Sequence, residues 1–280
     1  MSSDSRVIYR SDFYKIIDFK CKCNLKGRSG IEYHSDFSLS YVRKGSFIYH
    51  VFRNSLDSYT GLLLLSKPCY EHTVTHFNGM PDECTTFSFS DEFYESLKNE
   101  YRENKSRFFK DNDIQSLVLK AGPEIDYLHN IILKSICTNR VTSLYVDSLV
   151  LELLYTTMNR LLGVETPAAL PEKLKKNHLA TIEKARQFIS ENFMNDISLF
   201  EIAGHCFVSP FHFSRIFKTF TSYSPHQFLL DTRLKHAELM IKSTDTPITQ
   251  VCFSSGFQNL EHFSAAFRKK YRYPPSGLRK

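Results

Sequence analysis

A short pattern near the C-terminal end of the chain occurs twice, fifty residues apart, and it constrains the fold more than any other feature. The repeated pairs are Phe213 and Phe263, Ser214 and Ser264, Phe217 and Phe267, Lys218 and Arg268, Tyr223 and Tyr273, and Pro225 and Pro275. Upstream of each copy, a helical pattern ends in a small residue, Ala203 in the first copy and Cys252 in the second. Two similar units in tandem predict two similar modules that work side by side.

Each unit has the sequence signals of a helix-turn-helix. In the first unit, Ser198 and Glu201 form the S-x-x-E capping box of one helix, and Ser209-Pro210 supplies the start of the next. In the second unit, Asn259 is predicted to cap the second helix, and Gly256 in the preceding turn is free to adopt a positive φ. The chain therefore predicts two helix-turn-helix units in its last eighty or so residues.

The charge distribution agrees with a nucleic-acid-binding C-terminal half. Between residues 171 and 280, 16 Lys and Arg oppose 9 Asp and Glu, a net charge of +7, whereas residues 1–170 contain 20 against 21, a net charge of −1. The second helix of a helix-turn-helix fits the major groove of DNA, and the excess positive charge suits the phosphates around it. A helical scaffold that binds protein is the alternative.

Residues 197–279 resemble the DNA-binding domain of the AraC/XylS family of bacterial transcription regulators. The resemblance is carried by EIAGHCFVSPFHFSRIFK, FLLDTRLKHAELMI and ITQVCFSSGFQNLEHFSAAFRKKYRYPPSGLR, the last with the family's GF pair, FSxxF core and terminal P-x-x-x-R. Two positions depart from the family pattern, because Ser222 and Arg272 stand where a glycine usually follows each recognition helix. We expect local strain or a shifted turn at both.

By this resemblance, base contacts fall on both recognition helices. The residues are Phe211, Ser214 and Arg215 in the first helix, and Leu260, Glu261, His262 and Ala265 in the second. Lys218 and Lys269 complete the predicted interface, Lys269 as a phosphate contact. Arg215 can donate two hydrogen bonds to guanine O6 and N7, and Phe211 can pack on a thymine methyl group. We therefore expect the first helix to contribute most of the sequence specificity.

The N-terminal half of the chain has a different pattern. Residues 31–90 alternate in polarity and are rich in aromatic and β-branched residues, which predicts several short strands, with the leucines at 62–65 in a buried one. Helical apolar stripes follow over residues 112–136 and 143–163. The predicted fold is α+β, with a β sensor domain (1–110), a helical dimerisation segment (111–163), an interdomain linker (164–176) and a double helix-turn-helix DNA-binding domain (177–280).

This layout also resembles the family's usual plan, in which a cupin-like N-terminal β-barrel and a helical dimerisation segment control an all-α DNA-binding domain. The helix at 143–163 is the predicted dimer contact, and packing on its own barrel is the alternative. The resemblance implies a sequence-specific transcription regulator, by default an activator. Its implied partners are double-stranded DNA, RNA polymerase, a second copy of the chain and a small-molecule or metal effector.

A group of cysteines and a histidine in the N-terminal half raises a second chemical question. The chain resembles a subgroup of such regulators with an early C-x-C and a later H…D-x-C, matched here by Cys21, Cys23, His76 and Cys84, with Asp82 two residues before Cys84. Three thiols and one imidazole are a ligand combination found in tetrahedral zinc sites. Zinc binding, redox sensing by the thiols and ordinary buried cysteines are three hypotheses for this group.

Two other functions compete with transcription regulation. A cupin-type metalloenzyme would need a histidine spacing that the chain does not show, and neither a nucleotide-binding glycine loop nor a G-x-S-x-G motif occurs. An alkyl-transfer DNA-repair protein would use the Cys21-Cys23 pair as a reactive nucleophile. We expect the protein not to be an enzyme. The N-terminus has no apolar segment of a signal peptide and no eighteen-residue apolar run occurs, which predicts a cytoplasmic location.

Overall fold

A computed structural model describes residues 3–22, 27–76, 81–103, 107–138, 141–161 and 167–279. The chain divides into two compact units. We call them the N-terminal unit (Met1–Ala121 with Ile131–Glu183) and the C-terminal unit (Gly122–Asn130 with Lys184–Lys280). None of the helices in the described ranges is long and apolar enough to cross a membrane.

The strands of the N-terminal unit form two antiparallel sheets. They are β1 (Ser3–Arg10), β2 (Tyr14–Cys21), β3 (Gly27–Arg28), β4 (Glu32–His34), β5 (Phe37–Lys44), β6 (Ser46–Val51), β7 (Asn54–Tyr59), β8 (Leu62–Ser66), β9 (Tyr70–His76), β10 (Glu83–Phe89) and β11 (Ser116–Lys120). One sheet has the order β1-β2-β10-β5-β8-β11, and the other has β3-β9-β6-β7 with β4 also paired to β9. All five residues of β8 are buried, which confirms the predicted buried strand.

The predicted β-barrel is not closed in the described residues. Their pairing leaves β1 and β11 as the edges of an open six-stranded sheet, and β3, β4, β6, β7 and β9 form a separate sheet. Strands β1 and β2 also lie before the segment in which strands were predicted. Alternating polarity indicates which face of a strand is buried, but it carries no information on whether the first and last strands pair.

Four helices follow or interrupt the strands of the N-terminal half: α1 (Asp91–Glu103), α2 (Arg107–Lys110), α3 (Pro123–Thr138) and α4 (Ser143–Leu161). The helix predicted over 112–136 is wrong in its first part, because β11 occupies that stretch and pairs with β8. A short apolar run suits a strand as well as a helix, so periodicity alone could not separate them. The proline that opens α3 fits the first helical position.

Helices are the only regular secondary structure among the described residues of the C-terminal half. Its elements are α5 (Glu172–Asn192), α6 (Leu199–His205), α7 (Pro210–Thr221), α8 (Pro225–Ser243), α9 (Ile248–Ser254), α10 (Leu260–Tyr271) and a 3₁₀ helix (Pro275–Leu278). The pairs α6–α7 and α9–α10 are the two predicted helix-turn-helix units, joined by α8. Of the predicted linker 164–176, residues 164–166 lie outside the described residues, and α5 already begins at Glu172.

The two residues that replace glycine after the recognition helices keep the conformation of a glycine. Ser222 has φ +69° and Arg272 has φ +72°, and their amides donate to the carbonyl oxygens of Lys218 and Arg268 at 2.9 Å. Of the two expected outcomes, a shifted turn is therefore not seen. The backbone at both residues instead adopts the strained left-handed conformation. A left-handed residue other than glycine costs about 1–2 kcal/mol.

Candidate nucleic-acid interface

The first helix-turn-helix is fixed at both of its helix starts by side-chain caps. The Ser198 amide donates to Glu201 Oε2 at 2.7 Å, and the Glu201 amide donates to Ser198 Oγ at 3.2 Å, which is the predicted capping box. Ser209 Oγ accepts from the His212 amide at 3.4 Å, and Pro210 occupies the first position of α7. The start of the recognition helix α7 is thus set by its own sequence.

The second helix-turn-helix has an equivalent cap and a turn that requires glycine. Asn259 Oδ1 accepts from the amides of Glu261 and His262 at 2.7 and 3.2 Å, as predicted for the start of α10. Gly256 has φ +82°, and a Cβ atom there would lie 2.7 Å from the carbonyl oxygen of Phe193. Both the backbone conformation and the close approach therefore exclude a larger residue.

The repeated apolar residues form the inner faces of the two units. Each of the following side chains has no exposed surface: Ala203, Phe213 and Phe217 in the first unit, and Cys252, Phe263 and Phe267 in the second. The rings of Phe213 and Phe217 lie 5.4 Å apart, and those of Phe263 and Phe267 lie 5.6 Å apart. The sequence repeat is therefore a repeat of packing, and it holds α7 and α10 by equivalent contacts.

The predicted DNA-contacting residues lie on the outer faces of α7 and α10. Those classed as exposed are Phe211, Arg215, Lys218, Leu260, Glu261, His262, Ala265 and Lys269, while Ser214 is half-buried. Phe211 is 83% exposed, so its ring is accessible to a binding partner. The outer face of α7 has two cations, Arg215 and Lys218, whereas α10 begins with the carboxylate of Glu261.

A polar network at the C-terminal end of α10 was not predicted from the sequence. Lys270 belongs to a run of three basic residues on α10, yet its Nζ lies 2.6 Å from Glu124 Oε1 and 3.0 Å from Asp231 Oδ1. Tyr271 donates its hydroxyl to Glu238 Oε2 at 3.1 Å, and burial, followed by the Glu238 charge, raises the pKa of Tyr271. Lys270 therefore fastens α10 to neighbouring helices through two carboxylates.

Two further exposed aromatic residues lie on the first unit and were not singled out by the sequence. Phe200 on α6 is 74% exposed, and Phe207 in the turn is 86% exposed with φ +58°. Lys184 Nζ lies 5.5 Å from the centre of the Phe207 ring. The aromatic surface of this unit therefore extends past the recognition helix.

The cysteine and histidine group of the N-terminal unit is partly assembled. Cys21, His76 and Asp82 come together, with one ligand atom from each lying within 4.8 Å of the others. Cys84 Sγ lies 3.8 Å from Asp82 Oδ2. Cys23 lies outside the described residues. Asp82 thus joins the predicted group, which its position two residues before Cys84 could have indicated.

Comparison with known proteins finds relatives for the C-terminal half. Residues 202–280 match a family model described as a helix-turn-helix domain. The chain is 30% identical over 145 residues to the HTH-type transcriptional regulator ArgR of Pseudomonas aeruginosa, which covers 45% of this chain and 44% of that protein. It is 26% identical over 102 residues to the regulatory protein PocR of Salmonella typhimurium, covering 36% and 34%. The chain thus spans less than half of either curated relative.

Among solved structures, similarity is found to a probable AraC family transcriptional regulator from Rhodopseudomonas palustris. The match has 27% identity and a TM-score of 0.33, and it covers 35% of this chain and 94% of that one.

Proposed function

Residues 202–280 of this chain are a helix-turn-helix domain of the AraC/XylS type, and we propose that the protein is a sequence-specific DNA-binding transcription regulator. The observation that carries the proposal is the outward exposure of both recognition helices on equivalently packed units. Phe211 in the first turn of α7 and Arg215 in the middle of that helix are both exposed, and both side chains suit contact with a major groove.

In this proposal the two helices read DNA with different chemistry. Arg215 donates two hydrogen bonds to a guanine, and Phe211 packs on a thymine methyl group nearby. On α10, Glu261 accepts from a cytosine amino group, while Lys269 neutralises a phosphate. Successive major-groove faces lie roughly 34 Å apart along one side of the duplex, so the two recognition helices of one protomer would be centred about one helical turn apart.

The N-terminal unit is proposed to be the sensor, and α4 the dimer contact. Leu144, Leu151 and Tyr155 are 75%, 42% and 60% exposed, and their spacing of seven and four residues places them on one face of the helix. The opposite face of α4 is buried. We propose a homodimer formed through the exposed stripe. A cupin-like ligand site, recruitment of RNA polymerase and activation belong to the same proposal.

The enzymatic alternatives gain no support from the relatives, which are named as regulators. For the alkyl-transfer alternative, the described member of the cysteine pair is Cys21, which is 6% exposed. A buried thiol is not accessible to alkylated DNA.

The proposed DNA reading is tested with Arg215→Ala. We expect the variant to lose about 1–3 kcal/mol of binding free energy at its best site, about 5- to 150-fold in affinity, with relaxed specificity at one guanine. Lys218→Ala should instead weaken all sequences equally and lower the salt dependence. Full-length protein is titrated against a duplex selected from a random library, with single-base variants and competitor DNA.

Alanine variants of Glu261 and His262 complete that experiment. A larger loss of specificity in these two variants than in Arg215→Ala would contradict the leading role of α7. Unchanged binding in all of them would contradict base reading by either helix.

The proposed dimer contact is tested with Leu151→Asp. A carboxylate in the apolar stripe should raise the dimer dissociation constant by about tenfold or more, because the charge would be buried on association. Ile31→Asp is the matched control, since Ile31 is an exposed apolar residue of the same unit at 72% exposure and is not part of α4. Sedimentation analysis that shows equal dimer populations in both variants would exclude this face.

A further inference from the structure

Three side chains with metal-binding chemistry converge in the N-terminal unit. Cys21 is the last residue of β2, His76 is the last residue of β9, and Asp82 directly precedes β10. Their relative exposures are 6%, 4% and 2%, and one ligand atom from each lies within 4.8 Å of the others. Buried polar side chains normally have a hydrogen-bond or metal partner for each polar atom.

Hydrogen bonding accounts for only part of this cluster. His76 Nε2 lies 2.5 Å from Asp82 Oδ1, and the Cys21 amide donates to the Asp82 carbonyl oxygen at 2.9 Å. Within the part of the chain that the structure describes, the other ring nitrogen of His76, Nδ1, is buried with no hydrogen-bond partner. A histidine with one unsatisfied ring nitrogen beside a carboxylate and a thiol is the kind of arrangement that a cation completes.

The donor atoms select the kind of cation. We propose that Cys21, His76, Asp82 and Cys84 bind one zinc ion. Zinc accepts sulfur, nitrogen and oxygen ligands at about 2.0–2.3 Å in a tetrahedron, whereas magnesium and calcium prefer oxygen ligands alone. Ligands around such an ion are about 3.3–3.8 Å apart. The pair His76 and Asp82 has to open by less than about 1 Å to reach this spacing.

Cys84 is the fourth ligand of the proposed site. Its side chain is buried at 5% exposure, and its Sγ lies 3.8 Å from the second carboxylate oxygen of Asp82. On binding, the thiols of Cys21 and Cys84 release their protons to solvent and coordinate as thiolates. Strands β2 and β10 belong to the six-stranded sheet and β9 to the other sheet. One ion would therefore join the two sheets of the N-terminal unit.

The site is tested by titration of the reduced full-length protein with Co²⁺. We expect one Co²⁺ per chain, with a thiolate-to-cobalt charge-transfer band and the strong visible bands of tetrahedral Co²⁺, both lost when Zn²⁺ is added. Cys21→Ser and Cys84→Ser should weaken binding by more than the about 10- to 100-fold typical of changes around a metal site. Cys137→Ser, at an exposed cysteine of α3, is the matched control and should bind as the wild type does.

Asp82→Asn tests the site even if the cysteine variants fail to fold, because asparagine has nearly the same shape as aspartate. This variant should also bind Co²⁺ more weakly than the wild type. Zn²⁺ should raise the thermal midpoint of the wild type and of Cys137→Ser, but not that of Cys21→Ser. Failure of the wild-type protein to bind Co²⁺ in the titration would overturn the proposal. Binding of Co²⁺ without a thiolate-to-cobalt band would overturn it as well. A Cys21–Cys84 disulfide that forms in place of metal binding would overturn it too. None of these results depends on DNA binding.

Discussion

Replacing Phe263 with alanine is expected to lower the free energy of unfolding of the second helix-turn-helix by about 3–5 kcal/mol. The ring has no exposed surface and packs in a cluster with Val251, Cys252, Phe257 and Phe267. Its centre lies 5.0 Å from that of Phe257 and 5.6 Å from that of Phe267. Truncation leaves a cavity that the surrounding helices can close only in part, so transfer and packing energies are both lost.

Hydrogen exchange of the full-length protein measures this effect locally, because amides of α9 and α10 report the opening of this unit separately from the rest. Phe211→Ala is the matched control: the same substitution at an 83% exposed position should change protection by less than about 0.5 kcal/mol. Equal effects of the two substitutions would contradict the assignment of Phe263 to a packed core.

The second large effect is expected at the ion pair between Arg186 and Asp126. Both side chains are 7% exposed, and Arg186 Nη2 donates to Asp126 Oδ1. Arg186→Met leaves the Asp126 carboxylate buried without its cation, and breaking such a pair costs about 3–5 kcal/mol. The guanidinium also lies 5.6 Å from the centre of the Phe228 ring, which adds to the loss.

The double variant Arg186→Met/Asp126→Leu shows whether stability is lost because the Asp126 carboxylate is left unpaired or because methionine packs poorly at position 186. Replacement of a buried pair by apolar residues is often neutral, so the double variant should regain most of the lost stability. Protection of α5 and α8 amides against hydrogen exchange gives the comparison. A double variant less stable than Arg186→Met alone would contradict the account of the pair.

The helix-turn-helix units could be predicted because their signals are local. The caps at Ser198, Ser209 and Asn259 and the glycine turn at Gly256 all occur in the structure where the sequence indicated them. Each cap depends on residues within four positions along the chain, and the repeat supplied an internal check on the register. Exposure of the recognition residues followed once the apolar face was identified.

What could not be predicted depends on residues far apart in the chain. Lys270 has the appearance of a phosphate contact in sequence, and only its approach to Glu124, 146 residues earlier, shows a structural task. The inclusion of residues 122–130 in the C-terminal unit is non-local in the same sense. Strand order and the open sheet edges depend on which strands pair, and the alternation of polar and apolar residues does not encode this. Strand β11 was not predicted because its short apolar run also suits a helix.

Methylation interference shows whether the two recognition helices of one chain read successive major grooves, as we propose. A duplex selected by the full-length protein is methylated sparsely at guanine N7, and the bound and free fractions are compared. We expect two interfering blocks on one face of the duplex, about 10 base pairs apart for each protomer. Arg215→Ala should abolish interference at one guanine in one block. A single block, or interference spread evenly along the duplex, would contradict the claim.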